Sequence, residues 1–129
     1  MRIDRISSIL VKKQKKEERG LNVDYKSYAN VMKALSDPKR VKILDMLSCG
    51  ELCACDILEQ FDFTQPTLSH HINVLVNAGL VTVEKKGTWH HYSLNENKIN
   101  QLVADTIRLT SANTNFICEE IKPKGEKIR

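Results

Sequence analysis

The chain has 129 residues, of which 41% are apolar and 28% are charged, and these values are typical of one globular domain. A domain of this size buries a modest core by itself, so we expect a partner subunit. The sequence has no run of about 18 apolar residues, which excludes a membrane span, and it has no secretion signal, so we expect a cytoplasmic protein. The net charge of +4 comes from residues 1–20, which carry seven basic and three acidic side chains. Net charge alone therefore does not predict a nucleic-acid partner.

The sequence divides into three segments by pattern. Residues 1–20 form a basic extension, in which isoleucines at roughly helical spacing predict a short helix or an arm. Residues 21–122 carry the periodic patterns of the main domain. Pro123 ends the last of these patterns, and residues 123–129 are predicted to form a frayed tail.

Within the main domain, hydrophobic periodicity and capping residues predict five helices and one hairpin. In the hairpin, valines alternate with polar residues and Lys86-Gly87-Thr88 forms the turn. The predicted helices cover residues 24–35, 38–49, 53–61, 64–78 and 97–121, and the hairpin covers 80–94. The first of these helices carries an apolar stripe that consists of Tyr25, Tyr28, Ala29, Met32 and Leu35.

Two short helices joined by a turn and followed by a hairpin predict a winged helix-turn-helix, a mainly helical α+β fold. In this fold the helix that begins at Thr64 enters the major groove of DNA. The sequence supports that role because no carboxylate lies between Asp62 and Glu84 to repel phosphate. The side chains expected to read bases or hold phosphate are Thr64, Gln65, Thr67, Ser69, His70 and Asn73. The basic side chains expected at the DNA backbone are Lys39, Arg40, Lys85 and Lys86.

Three stretches of sequence resemble a known family. They are Ala34-Leu-Ser-Asp-Pro-Lys-Arg-Val-Lys-Ile-Leu44, Thr64-Gln-Pro-Thr-Leu-Ser-His-His-Ile-Asn-Val-Leu75 with Asn77-Ala-Gly-Leu-Val81, and Glu51-Leu-Cys-Ala-Cys-Asp56. Together they resemble the arsenic-repressor (ArsR/SmtB) family of metal-sensing repressors. The resemblance implies a homodimer whose interface is formed by the first and last helices of the domain. It also implies a repressor that leaves its operator DNA when a metal or metalloid binds.

The pair Cys53 and Cys55 is the most specific part of this resemblance. Thiolates bind soft ions, and a place at the start of the third helix is expected to lower the thiol pKa. Side chains two residues apart in a helix point about 200° apart, so we expect the first turn to unwind when both sulfurs hold one ion. The arsenic motif of the family has its third cysteine where this chain has Leu58. A third thiolate is therefore expected from Cys49 or Cys118.

The resemblance implies As(III) or Sb(III) as the inducer, because these ions need three sulfurs whereas cadmium prefers four. Cadmium and lead sensors of the family recruit a cysteine from an N-terminal arm, and residues 1–20 contain none. A cadmium- or lead-responsive repressor of the same fold remains an alternative. A redox switch at the same cysteine pair is another.

Other chemistries have less support in the sequence. The neighbours His70 and His71 diverge on a helix, and His90 and His91 face opposite sides of a strand. The last helix lacks the histidines with which zinc, nickel and cobalt sensors of the family bind their metals. No nucleophile–base pair, phosphate loop or carboxylate dyad is present, so an enzyme is not predicted. A winged helix that binds only protein is the alternative from another class, and the uncharged DNA-reading helix argues against it.

Overall fold

The computed structural model describes residues 23–111, within which residues 25–100 form one compact unit. Its elements follow the order that the sequence predicts, with one added strand, and this order confirms the winged helix-turn-helix fold. The expectations for residues 1–20, for Cys118 and for the tail from Pro123 lie outside the described residues. The elements are α1 (Tyr25–Ala34), α2 (Pro38–Leu47), β1 (Leu52–Cys53), α3 (Ala54–Leu58), α4 (Gln65–Asn77), β2 (Val81–Lys86), β3 (Trp89–Leu94) and α5 (Glu96–Thr110).

The two helices of the helix-turn-helix begin and end at residues suited to those positions. Asp37 caps α2, because its carboxylate accepts a hydrogen bond of 2.7 Å from the Lys39 N–H, and Pro38 takes the first helical position. This hydrogen bond lowers the pKa of the Asp37 carboxyl. Helix α4 ends before Gly79, whose φ of 84° lies in the left-handed region that glycine adopts without strain.

The core of this unit lies between α2, α3, α4 and the start of β2. Residues three and four apart on α4 share one face, so four of its side chains point into the core together. Among them, Leu68 and Leu75 are almost completely buried. The buried side chains of the core are Ile43, Leu47, Ile57, Leu68, His71, Ile72, Leu75, Leu80 and Val81.

The apolar stripe predicted on α1 differs from the face that this helix buries. Val31 and Ala34 are its buried side chains, whereas Tyr25 is 54% exposed and Met32 is 43% exposed. In the part of the chain that the structure describes, these two side chains of the stripe remain exposed. Periodicity shows that a helix has an apolar face and does not show whether the same chain or a second chain packs on it.

Strand β1 was not predicted, because two residues are too few to show alternation. It pairs antiparallel with β3, so that Leu52 lies opposite Tyr92 and Cys53 lies opposite His91. The result is a three-stranded sheet in the order β1-β3-β2. Helix α3 is correspondingly shorter than predicted and begins only after Cys53.

Helix α5 extends past the compact unit, and its later residues belong to a second one. In that second unit Ala104 is buried and Leu109 is 39% exposed. No helix between residues 23 and 111 combines the length and the apolar character needed to cross a bilayer.

His71 is a buried polar side chain whose protonation state affects stability. Its Nδ1 lies 3.0 Å from a guanidinium nitrogen of Arg40, and arginine can only donate, so Nδ1 accepts and the ring is neutral. Burial, above all, lowers the pKa of His71 below its usual 6.5. When the pH falls through this value, the unfolded chain takes up the proton first and the folded state loses stability.

We therefore predict that the free energy of unfolding decreases as the pH falls below about 6.5, and that a His71→Leu variant shows a shallower decrease. Urea unfolding at several pH values measures both slopes. The variant loses its bond to Arg40 and is expected to be less stable throughout, so the slope is the readout rather than the absolute stability. Equal slopes in the two proteins would contradict this role of His71.

Candidate DNA-reading surface and thiol site

The exposed face of α4 carries the polar side chains that the sequence assigns to DNA. Because Leu68, His71, Ile72 and Leu75 point inward, their neighbours on the opposite face point to solvent. The exposed residues are Gln65, Ser69, His70, Asn73 and Asn77, and Thr67 is half-buried at the edge. The helix thus presents amide, hydroxyl and imidazole groups without a carboxylate, which suits a helix that enters a major groove.

Thr64 occupies the N-cap position of α4 with an extended backbone, as predicted. Its hydroxyl does not bond the helix backbone but lies 3.2 Å from the hydroxyl of Thr67. Pro66 has no N–H, so the first turn offers fewer backbone donors than an ordinary helix start. The two exposed or half-buried threonine hydroxyls add polar groups that a phosphate could contact at this end.

The four basic residues predicted at the DNA backbone fall into two groups. Lys39 and Lys85 are exposed. Arg40 is half-buried, and its guanidinium donates to the Ala34 carbonyl at 2.6 Å and to His71. These bonds hold α2 against the end of α1 and against α4, so Arg40 has a structural task that the sequence did not indicate.

Lys86, at the end of β2, forms an ion pair that sequence analysis missed. Its ammonium lies 3.0 Å from the Glu51 carboxylate, which also lies 2.9 Å from Nδ1 of His91. The hydrogen bond between them lowers the pKa of Glu51 and raises that of Lys86. Solvent screens an exposed pair of this kind, so a phosphate can compete for the lysine.

The two cysteine sulfurs converge without any unwinding of α3, and the prediction that they diverge is wrong. The Sγ atoms of Cys53 and Cys55 lie 2.7 Å apart, within hydrogen-bonding distance. The helical angle does not apply because Cys53 is the N-cap and has an extended backbone, with φ of −87° and ψ of 167°. Because Cys53 lies outside the helix, its side chain can point toward the side chain of Cys55, which lies inside the helix.

Asp56 closes the thiol site from the side of the helix. Its carboxylate accepts from the Cys53 N–H at 3.3 Å and from the Cys53 thiol at 3.2 Å, which stabilises the first turn of α3. Within residues 23–111, Cys53, Cys55 and Asp56 are the group of ligand-type side chains whose atoms all lie within 4.8 Å of one another.

The expected lowering of the thiol pKa is wrong for Cys55. Its pKa is raised, first by the hydrogen bond with Cys53, then by burial and by the negative charges that Cys53 and Asp56 can carry. Two sulfurs and a carboxylate in one place disfavour several negative charges at once, and this outweighs the effect of the helix end. A positively charged or positively polarised atom bound between the two sulfurs would stabilise both thiolates.

A third thiol is not part of the group in the described structure. Cys49 is exposed at the end of the α2 segment and lies outside the three-residue cluster. Leu58, at the position of the third cysteine in the motif, is half-buried. The histidines also stay apart from the cysteines: none of those between residues 23 and 111 belongs to the cluster.

These features define a winged helix-turn-helix regulator of the DNA-binding class, with a polar reading helix and a thiol pair beside the wing. Residues 37–83 match the model of a family described as "Bacterial regulatory protein, arsR family". An arsenical resistance operon repressor from Staphylococcus aureus is 45% identical over 100 residues, which cover 78% of this chain and 96% of that protein. The chain belongs to the ArsR family, and it is a DNA-binding transcriptional repressor rather than an enzyme.

Two further relatives show the range of similarity. A cadmium resistance regulatory protein homologue from Staphylococcus aureus is 45% identical over 76 residues, covering 58% of this chain and 63% of that protein. A homodimeric winged helix-turn-helix DNA-binding domain from Mycobacterium bovis has a TM-score of 0.56 and 28% identity, covering 66% of this chain and 79% of that one.

The division into base-reading and backbone-contacting residues gives a prediction. Gln65→Ala and His70→Ala should each weaken operator binding by about 1–3 kcal/mol and leave binding to random DNA almost unchanged. Lys85→Ala and Lys86→Ala should weaken binding to both DNAs and lower the salt dependence by about one unit per lysine. Fluorescence anisotropy with both DNAs at several salt concentrations measures these effects.

Glu51→Gln is the matched control for Lys86, because it frees the ammonium and removes a negative charge without shortening a side chain. It should strengthen binding to operator and random DNA alike. If all of these alanine variants lose affinity for the two DNAs equally, the division is wrong.

Proposed function

We propose that this chain is a homodimeric repressor that leaves its operator when arsenite or antimonite binds Cys53, Cys55 and a third thiol. The observation that carries the proposal is the 2.7 Å separation of the two sulfurs at the N-cap of α3. Thiol sulfurs favour soft centres over magnesium, calcium or manganese. The similarity to arsenical resistance operon repressors supports the same inducer.

The chemistry of binding favours arsenite at a crowded thiol site. Each As–O bond of arsenous acid is replaced by an As–S bond, and the thiol proton leaves with the hydroxide as water. No net proton is released, so the arsenic does not require free thiolates beforehand. A divalent cation such as cadmium must instead expel the thiol protons into solution.

Cadmium or lead is the second candidate inducer, and the 45% identity to a cadmium resistance regulator homologue favours it. The donor set argues the other way. The cluster within residues 23–111 offers two sulfurs and the Asp56 carboxylate. Cadmium prefers four sulfurs and arsenite needs three, so the described site lacks one thiol for arsenite and two for cadmium.

Release of DNA follows from the position of α3. This helix contacts the sheet through β1 and β3, and it contacts the reading helix α4. Its one buried side chain, Ile57, is fully enclosed, so a shift of α3 is transmitted to its neighbours rather than absorbed by a void. By linkage, the inducer binds free repressor more tightly than repressor on DNA, with a typical coupling of about 1–3 kcal/mol, or 5–150-fold.

Serine variants test the site. Cys53→Ser and Cys55→Ser should keep operator binding and lose release by arsenite, because serine retains the size of cysteine and binds soft ions poorly. Cys49→Ser and Cys118→Ser identify the third thiol, since only the true ligand should weaken arsenite binding. Anisotropy with labelled operator, under a reducing agent that excludes thiol oxidation, measures release by arsenite, antimonite and cadmium.

Two results would contradict this proposal. If arsenite still releases the Cys53,Cys55 double serine variant from operator DNA, the sensor lies elsewhere. If cadmium releases the natural sequence from operator DNA at concentrations where arsenite has no effect, cadmium is the better candidate inducer.

Self-association through the exposed stripe of α1 is part of the proposal. Tyr25 and Met32 are large apolar side chains on this stripe that a single chain leaves in water. We predict a dimer at micromolar concentration that places two α4 helices at half-sites about 34 Å apart. Met32→Glu should weaken dimerisation at least about tenfold, or 1.4 kcal/mol, because it buries a charge in an apolar interface.

Sedimentation equilibrium measures the dimer constant. Val41→Glu on α2 is the control, since Val41 is also an exposed apolar residue, at 47%, and lies off the stripe. A natural chain that stays monomeric at micromolar concentration would rule out the dimer. Equal losses in the two variants would place the interface elsewhere.

A further inference from the structure

Arg40 connects α1, the helix with the exposed apolar stripe, to the reading helix α4. It lies in the first turn of α2 and is half-buried. Its Nε donates to the Ala34 carbonyl at 2.6 Å, and another guanidinium nitrogen donates to Nδ1 of His71 at 3.0 Å. Ala34 is the last residue of α1 and His71 belongs to α4, so one side chain of α2 is bound to both of the other helices.

The guanidinium group is suited to such a connection by its rigid shape. Its N–H groups lie in one plane at fixed angles, so two acceptors bound to it are held in a fixed relative orientation. The Ala34 carbonyl is among the last carbonyls of α1, which have no partner within the helix, and a cation is favourable at this end of the helix dipole. A lysine ammonium, on a flexible chain, would not fix two helices in this way.

The orientation of α1 depends on few contacts besides this one. Its backbone comes close to the other described elements at few points, although its side chains Val31 and Ala34 are buried. Only residues 35–37 separate α1 from α2. The bond from Arg40 is therefore a substantial part of what fixes the end of α1.

At the other end of the connection, His71 is held firmly within α4. It is 7% exposed, and the ring of Phe63 lies against it with 5.6 Å between the ring centroids. Its neighbour His70 is exposed on the face that carries the predicted base-reading side chains. Because His70 and His71 lie on the same helical turn, any rotation or tilt of α4 at His71 moves His70 as well.

We propose that Arg40 positions the reading helix rather than contacting DNA, and that its two hydrogen bonds set the separation and tilt of the two α4 helices in the dimer. The proposal rests on the dimer through α1 proposed above. When two copies meet through α1, each α4 is placed relative to the shared interface by its connection to α1. Two-fold symmetry repeats any change in that connection on the other side, so both helices move relative to their half-sites.

Operator duplexes with altered half-site spacing test this role in the full-length protein. One base pair inserted between the half-sites moves one of them by about 3.4 Å and rotates it by about a tenth of a turn. The natural sequence should bind duplexes with one base pair inserted or deleted at least about tenfold more weakly than the operator itself. Fluorescence anisotropy measures the affinities, and sedimentation equilibrium checks that each protein is a dimer at the concentrations used.

Two substitutions of Arg40 separate its charge from its shape. Arg40→Lys keeps the charge and loses the planar fork, whereas Arg40→Met loses both. Each should bind the operator about tenfold more weakly, because a charge-assisted hydrogen bond no longer holds α4, and should discriminate between the spacings by less than about threefold. Neither should change the salt dependence of binding to random DNA, because that dependence reports phosphate contacts.

Lys39→Met is the matched control, because Lys39 is the exposed basic neighbour of Arg40 on the same helix. It should keep the full spacing preference of the natural sequence, and it should lower the salt dependence by at most about one unit.

Substitutions of His71 test the connection from its other end. His71→Asn retains an acceptor, since Oδ1 of asparagine takes nearly the position of Nδ1 of histidine, whereas His71→Leu has none. The asparagine variant should keep the spacing preference, and the leucine variant should lose it as the Arg40 variants do. Urea unfolding of every variant provides the stabilities. A role in stability alone would make the spacing preference follow the free energy of unfolding instead of the presence of an acceptor.

The outcomes separate this proposal from that of the dimer. Loss of the spacing preference in both Arg40 variants and in His71→Leu, with its retention in His71→Asn and Lys39→Met, supports the positioning role. If Arg40→Met lowers the salt dependence and keeps the spacing preference, Arg40 is a phosphate contact and the positioning role is overturned, while the dimer stands. A spacing preference that follows the unfolding free energies also overturns it. If the natural sequence binds all spacings equally, both proposals fail.

Discussion

The pairing of β1 with β3 is the constraint on which the site depends. Because Leu52 and Cys53 lie opposite Tyr92 and His91, the backbone of Cys53 stays extended and α3 cannot begin before Ala54. Cys53 thereby becomes an N-cap residue, and its sulfur meets that of Cys55. The same two pairs attach the first thiol to the returning strand of the wing. A short piece of sheet thus creates the geometry of the thiol pair and connects it to the wing.

The polar contacts next to the thiol pair are exposed and therefore weak. Glu51, next to β1, contacts Lys86 at 3.0 Å and His91 at 2.9 Å, and solvent screens both contacts. Under the proposed response, a shift of α3 would need to change only a few weak contacts of this kind and would not need to unfold any element.

The number of thiols determines which ligands the site can satisfy. The described cluster has two sulfurs, with the Asp56 carboxylate as its third ligand-type group. Under the proposed arsenite response, Cys49 or Cys118 would supply the third sulfur. Cadmium, which prefers four sulfurs, would need both of these thiols.

The sequence by itself determined the order of helices, the hairpin, the polar face of α4 and the pairing of Cys53 with Cys55 as one motif. These follow from local rules: periodicity, capping at Asp37, the glycine after α4, and spacing along the chain. The prediction from sequence that both thiols have a lowered pKa considered only the effect of the helix N-terminus. At Cys55 the neighbouring sulfur and Asp56 outweigh that effect and raise the pKa.

Only the tertiary structure decided how the two sulfurs are oriented and which partners Arg40 and Lys86 contact. It also decided which apolar side chains of α1 remain exposed in the described residues. Each of these depends on residues far apart in the chain. Arg40 meets His71 across 31 positions and Lys86 meets Glu51 across 35. Strand β1 has two residues, too few for any local pattern, and exists because β3 supplies its hydrogen-bonding partners. This long-range pairing keeps Cys53 out of the helix, so the angle expected between the side chains of Cys53 and Cys55 in a regular helix does not apply.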